Sequence, residues 1–345
     1  MRRLLFFIVP NGLAMVLCFC FSQKYALLAV VRCWNNKKYR EAKKPYLFRI
    51  VKNKKMDKQK ILVSFSAGET SAYMCHFLKE NYSDKYEFLF IFANVGEENN
   101  ETLTFADQCD KYFNLDLVWV EAEFTEKTTM FRVVDFETAE RSGVKGAFEK
   151  MIVKFGIPNM QNMICTRELK ERPITKYARS IGWNKSDYVT AIGIRSDEID
   201  RVSKNRIKNR LFYPLIELTH TTKPIINKFW SEMPFRLNLK GYEGNCKWCW
   251  KKSDRKLATL AIERPEYFEF PKQMENKYFN HVPRRDKAKL DLPMRFFRNN
   301  KTVNDIFELA KNPNFKKAKD DTQNNTVQTI LDLEFECIGS CEPFK

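Results

Sequence analysis

Four short, mostly apolar runs, each set apart by a stretch of helical periodicity, constrain this chain more than any other feature. They are Ile61–Ser66, Phe88–Ala93, Leu115–Val120 and Tyr188–Ile194. A run of about six apolar residues is too short for a stable helix, and its lack of alternation is the pattern of a strand covered on both faces. Helical patterns fill the gaps: one after Ser71, with Tyr73, Phe77 and Leu78 on one side, and others around 100–112, 145–155 and 167–180. Strands alternating with helices predict an α/β fold, a mostly parallel sheet of five or six strands flanked by helices. Ligands of such sheets sit at the carboxyl ends of the strands. Polar segments follow three of the predicted strands, Ser66–Ser71, Asn94–Glu101 and Arg195–Arg201, so the functional residues are expected along one rim.

From about Leu211 the pattern changes. Pro214, Pro224, Pro234 and Pro265 divide short segments, and Gly244-Asn-Cys-Lys-Trp-Cys-Trp250 brings a cysteine pair. Helical patterns return around 253–263 and 302–311, and Lys311–Thr326 reads as a solvated connection to an apolar tail carrying Cys337 and Cys341. The expected division is a hydrophobic and basic leader (1–55), an α/β domain (56–210) and a mainly helical, cysteine-bearing C-terminal portion (211–345).

The leader distorts the charge balance. The net charge of +17 suggests nucleic acid until it is divided by position: residues 1–55 carry 13 Lys and Arg against one acidic residue, and the remainder has a net charge of only +5. The body therefore gives no support for a nucleic-acid partner. Arg2-Arg3 precede an apolar run from Leu4 to Phe21, broken by Pro10-Asn-Gly12 and followed by Arg32, Lys37, Lys38, Arg40, Lys43 and Lys44. That order suits a membrane anchor through residues 4–22, with the basic flank kept inside. The favoured expectation is a dispensable leader and a cytoplasmic protein, because Met56 opens directly onto the first strand and the cysteine pattern suits a reducing compartment.

Ser66-Ala-Gly-Glu-Thr-Ser71 has the form of a phosphate cradle. Small side chains let backbone N–H groups approach phosphate oxygens, and a helix N-terminus favours negative charge. A plain capped strand–helix turn is the alternative. Five further segments follow in order: Phe92-Ala-Asn-Val-Gly-Glu-Glu-Asn-Asn-Glu-Thr102, Gly156-Ile-Pro-Asn159, Ile164-Cys-Thr-Arg-Glu-Leu-Lys170, Gly193-Ile-Arg-Ser-Asp-Glu198 with Arg201, and Gly244-Asn-Cys-Lys-Trp-Cys249. Together the set resembles the phosphoadenosine phosphosulfate reductase family of the PP-loop (adenine nucleotide α-hydrolase-like) superfamily, especially its phage and prokaryotic branch, over residues 59–265.

The resemblance implies that Ser64, Ser66, Gly68 and Ser71 hold nucleotide phosphate or sulfate. Asn94, Gly96, Glu101 and Thr102 form a second turn near the nucleotide, and Arg195 and Arg201 bring positive charge. For Arg201, an ion pair with Asp197 or Glu198 is the competing reading. PP-loop enzymes that cleave ATP read Ser-Gly-Gly-Lys-Asp-Ser, whereas here Ala67, Glu69 and Thr70 replace the first of those glycines, the Lys and the Asp. Loss of the Lys and Asp puts metal-assisted ATP cleavage in doubt and tilts the expectation toward sulfonucleotide chemistry.

Of ten cysteines, Cys18, Cys20 and Cys33 lie in the leader, and Cys75 and Cys109 fall in helical stretches as expected core residues. A CxxC pair ligates soft metals or works as a redox dithiol. The resemblance favours a [4Fe–4S] cluster on Cys165, Cys246, Cys249 and a tail cysteine, here Cys341; zinc or no metal are the alternatives. Glu336-Cys337 is similar to the segment bearing the nucleophilic cysteine of sulfonucleotide reductases, whose S-sulfo adduct a thioredoxin-like thiol donor releases. The match is partial, since Ile338-Gly339-Ser340-Cys341 follows and the three histidines, His76, His220 and His281, lie elsewhere. The expected function is an enzyme of adenine sulfonucleotide chemistry. The alternatives are an ATP-dependent sulfurtransferase that thiolates a nucleic acid, or a nucleotide-binding protein without turnover.

Overall fold

The computed structural model describes residues 5–9, 13–17, 58–244, 246–281, 283 and 293–322. The chain divides into two units, residues 1–53 and 54–345. In the first, β1 (Leu5–Val9) and β2 (Leu13–Leu17) pair antiparallel with Leu5 opposite Leu17. Two stretches of the leader's apolar run thus pair as strands, and among the described residues no helix is long and apolar enough to cross a membrane.

In the second unit the apolar runs become β3 (Gln59–Phe65), β4 (Tyr86–Asn94), β5 (Val118–Phe124) and β7 (Tyr188–Ile192). Together with β6 (Thr129–Val134) and β8 (Leu211–Phe212) they form a six-stranded sheet of order β6-β5-β4-β3-β7-β8. All neighbours are parallel except β5 and β6. Both faces are covered. Leu62, Ile91 and Val120 pack with Ile174 and Ala178 of α4 (Arg172–Ser180) on one side. The helix α1 (Glu69–Tyr82) lies against β3 and β4, with α2 (Asn100–Phe113) beside it. Double coverage is the physical reason the strands read as mostly apolar runs.

Two features depart from the sequence expectation. The third strand starts at Val118, not Leu115, because Asn114 and Asp116 adopt left-handed backbone with φ of 50° and 56°; Leu115 and Leu117 are buried without being part of the strand. The edge strand β6 gave no apolar run because Arg132, Val133 and their neighbours are partly exposed.

After α3 (Ala147–Phe155) and ahead of α4, residues Thr166–Glu171 form one π-helical stretch. Beyond residue 211 the described residues include α5 (Pro214–Glu217), α6 (Lys223–Glu232), α7 (Asp254–Glu263), α8 (Glu269–Tyr278) and α9 (Val303–Ala310). Pro214, Pro224 and Pro271 lie in first turns, where a missing N–H leaves no bond unmade. Cys75 and Cys109 are fully buried in α1 and α2.

Candidate functional site

The sheet order places β4, β3 and β7 side by side and parallel, so the polar segments after these three strands share one rim. Ser64 is buried in β3 opposite Ile91 and Ile192. The Ser66–Ser71 loop closes on itself through Ser71. Its Oγ accepts from Ser66 N (3.2 Å) and Gly68 N (3.3 Å), and donates to Gly68 O at 2.9 Å; Ser66 Oγ stands 2.9 Å away. The residue that takes up the left-handed conformation is Ala67, with φ of 56°. Gly68 is extended at φ −102°, and a Cβ there would meet nothing closer than 3.9 Å. The turn itself therefore does not require glycine at position 68.

At the end of β7, Gly193 lets the strand press on α1: a Cβ there would lie 3.0 Å from Ser71 Cα. Arg195 reaches Thr70 Oγ1 at 3.2 Å and is also held by Asp197 (3.0 and 3.3 Å) and Glu198 (3.3 Å). Arg201 pairs with Glu198 on the same turn, the ion pair that competed with a ligand role in the sequence. Its Nε is buried without a partner among the described residues.

Glu69, where PP-loop enzymes carry Lys, turns to a residue that nothing in the sequence marked. Arg236 donates through Nε (3.0 Å) and Nη2 (3.2 Å) to the two Glu69 carboxylate oxygens, and Trp230 Nε1 donates to Glu69 O at 3.0 Å. Burial pushes the Glu69 carboxyl above its ordinary value, while Arg236 and Lys223 pull it down.

The turn after β4 is built as a support. Asn94 Nδ2 donates to the fully buried Glu121 at 2.6 Å and to Glu140 O at 2.8 Å, and Asn94 Oδ1 accepts from Gly96 N at 3.2 Å. Gly96 has φ of 77° and faces Ser142 O, where a Cβ would stand at 3.2 Å; only glycine takes both constraints without strain. Thr102 is buried in the first turns of α2. Glu101, also in the first turn of α2, is half-buried; burial first, with Glu243 and Glu101 adding, pushes the Tyr267 phenol up to about 12.

Beside that turn lies a second constellation. Cys165, Cys246 and Cys249 line one cavity of about 20 Å³, with Trp248, Trp250 and Lys170 in its wall. The π-helical stretch carries Lys170 inward to Glu98 at 3.2 Å, and Cys246 Sγ stands 3.9 Å from the same carboxylate oxygen. Trp248 Nε1 donates to Glu97 at 2.7 Å and Gly143 N donates to it at 2.8 Å. Burial nonetheless lifts the Glu97 carboxyl above its ordinary value. Trp250 is buried with its Nε1 unpartnered among the described residues. Three thiols suit a thiophilic metal chemically. Among the described residues, however, no three His, Cys, Asp or Glu side chains converge in a metal-holding arrangement. Cys337 and Cys341 lie outside the described residues.

Sequence reasoning missed Arg236, Glu97, Glu98, Lys170 and the two tryptophans. Glu97 and Glu98 stood inside a quoted motif, so their signal was present; Arg236 had none, since its role depends on a partner 167 residues away.

The sequence model of the phosphoadenosine phosphosulfate reductase domain matches residues 60–222, a span that begins in β3 and ends just after β8 and α5. An uncharacterized nin region protein of Escherichia phage lambda is 31% identical over 206 residues, covering 58% of this chain and 69% of the phage protein. With the parallel sheet, the strand-end loop and these two matches in agreement, the chain belongs to the phosphoadenosine phosphosulfate reductase family, and its phage relative points to the phage and prokaryotic branch.

Proposed function

We propose that this protein is an enzyme that acts on an adenine sulfonucleotide, reducing or transferring its sulfur. The observation that carries this reading is the Ser66–Ser71 loop between β3 and α1, closed by Ser71 at the carboxyl rim of the sheet. Amides at the start of a helix lack intrahelical partners and suit an anion. The altered loop, with Glu69 turned to Arg236, favours sulfur transfer over ATP cleavage, which relies on loop Lys and Asp groups that are missing here. In the proposed step the Cys337 thiolate attacks the sulfur and the sulfur–oxygen bond to the nucleotide phosphate breaks. Adenosine 3′,5′-bisphosphate leaves, and a thioredoxin-like dithiol then releases sulfite while being oxidised to its disulfide. Cys165, Cys246, Cys249 and Cys341 would hold a [4Fe–4S] cluster or zinc, which would fix the cysteine loop to the π-helical stretch. The cytoplasm, where thiols stay reduced, is the compartment proposed.

The test is anaerobic incubation of the full chain, with a dithiol, with phosphoadenosine phosphosulfate and separately with ATP. Sulfite and adenosine 3′,5′-bisphosphate support the proposal. AMP and pyrophosphate would assign the chain to ATP-dependent thiolation instead, and binding without product would make it a nucleotide-binding protein without turnover.

A further inference from the structure

We infer that Arg236 is a phosphate-binding residue of the nucleotide site, supplying from a distant segment the guanidinium donors where the loop has Glu69 in place of Lys. The inference rests on the nucleotide reading above and names a residue that reading does not contain. Among the arginines near the loop, Arg195 and Arg201 are engaged close to home. Arg195 spends both edges of its guanidinium on Asp197, Glu198 and Thr70, and Arg201 shares Glu198. Two carboxylates thus neutralise two guanidinium groups within one turn.

Arg236 is arranged differently. It approaches from beyond α6, fixed by Nε and Nη2 on Glu69 and by Nη2 on Thr322 O at 3.1 Å. Three bonds set the plane of the guanidinium, and its Nη1 group has no partner among the described residues. The side chain is 31% exposed, so that free edge is within reach of a solute. A guanidinium already oriented by a carboxylate loses little further freedom on binding a phosphate oxygen, and its fork suits that geometry. Lys223 also lies near enough to pull the Glu69 carboxyl down, although it is paired with Asp321 at 3.9 Å. The swap of Lys for Glu at residue 69 is then not a loss of phosphate recognition: Glu69 serves as the bracket that positions Arg236.

A double-mutant cycle on the full chain, read by calorimetry with adenosine 3′,5′-bisphosphate, tests this. Loss of one charge-assisted bond predicts that R236A binds roughly 10-fold weaker or worse. R236A also leaves Glu69 buried and unpaired, so R236Q, E69Q and the double variant E69Q/R236A are measured beside it, each with a thermal unfolding curve to establish folding. If Arg236 touches phosphate, the double variant stays as weak as R236A. Recovery of wild-type affinity in E69Q/R236A overturns the inference, because Arg236 would then only neutralise Glu69. Wild-type affinity in folded R236Q overturns it equally. Failure of the unmodified chain to bind any adenine nucleotide would instead overturn the nucleotide reading, and this inference with it.

Discussion

The Ser66–Ser71 loop and the cysteine cavity sit at the ends of neighbouring strands, yet they are closed in different ways. The loop's turn is closed from within, where Ser71 Oγ satisfies amides three and five residues away, although Glu69 and Thr70 are also held by the distant Arg236 and Arg195. The cavity takes its shape from afar. Glu97 meets Trp248 across 151 residues, and Lys170 meets Glu98 across 72. Polar closure gives the loop a form that survives modest changes in packing, whereas the cavity depends on buried aromatic contacts among Trp248, Phe148, Phe270 and Phe296. The Ser66–Ser71 turn should therefore tolerate damage that the cysteine cavity does not.

The sharpest way to break that comparison is Trp248→Ala. Removing a side chain only 1% exposed, together with its bond to Glu97, should lower stability by about 3–5 kcal/mol in urea unfolding. Below the unfolding midpoint, Cys246 and Cys249 should become reactive to a thiol reagent while nucleotide binding persists. Joint loss of both properties would mean that the two regions form one cooperative unit.

A smaller effect belongs to the wall of the cavity. Glu149, next to Phe148 on α3, accepts from Lys145 N (2.6 Å), Lys277 Nζ (2.6 Å) and Tyr278 OH (2.7 Å). Burial raises its carboxyl, but these bonds outweigh burial and hold it at about 2, below the ordinary 4.5. A depressed carboxylate stabilises the fold fully above its unfolded value, and that contribution is lost as pH falls from about 4.5 toward 2. Glu149→Gln should therefore cost about 1–2 kcal/mol at neutral pH and flatten the acid limb of the stability profile. An unchanged acid limb would remove Glu149 from the link between α3 and α8.

The smallest effect sharpens the loop side. Ala67 is buried in left-handed backbone, a conformation that strains any residue with a Cβ. Ala67→Gly should raise stability by about 1 kcal/mol, seen as a higher midpoint in thermal unfolding. Destabilisation would show that the Ala67 methyl contributes more by packing than its backbone loses by strain.

Local chemistry and periodicity carried much of this protein in its sequence. Mostly apolar runs at Ile61–Phe65 and Phe88–Ala93 determined buried parallel strands, since a strand covered on both faces has no polar side to show. Small residues after the first strand determined the loop, and Cys246 and Cys249 lie two residues apart whatever the fold. Where backbone conformation overrides side-chain pattern the sequence was silent, as at Asn114 and Asp116, whose left-handed turns delay β5. Tertiary structure alone decided which charges meet. Arg195 and Arg201 are the arginines a linear motif picks out, yet their partners are the acids beside them in sequence. Arg236 reaches Glu69 only because α6 packs against α1 and carries the chain back to the loop. Likewise Cys165 joins the cysteine pair in one cavity only because the π-helical stretch and the loop after β4 converge there. Pattern reports what each segment buries; only packing fixes which distant segments become neighbours.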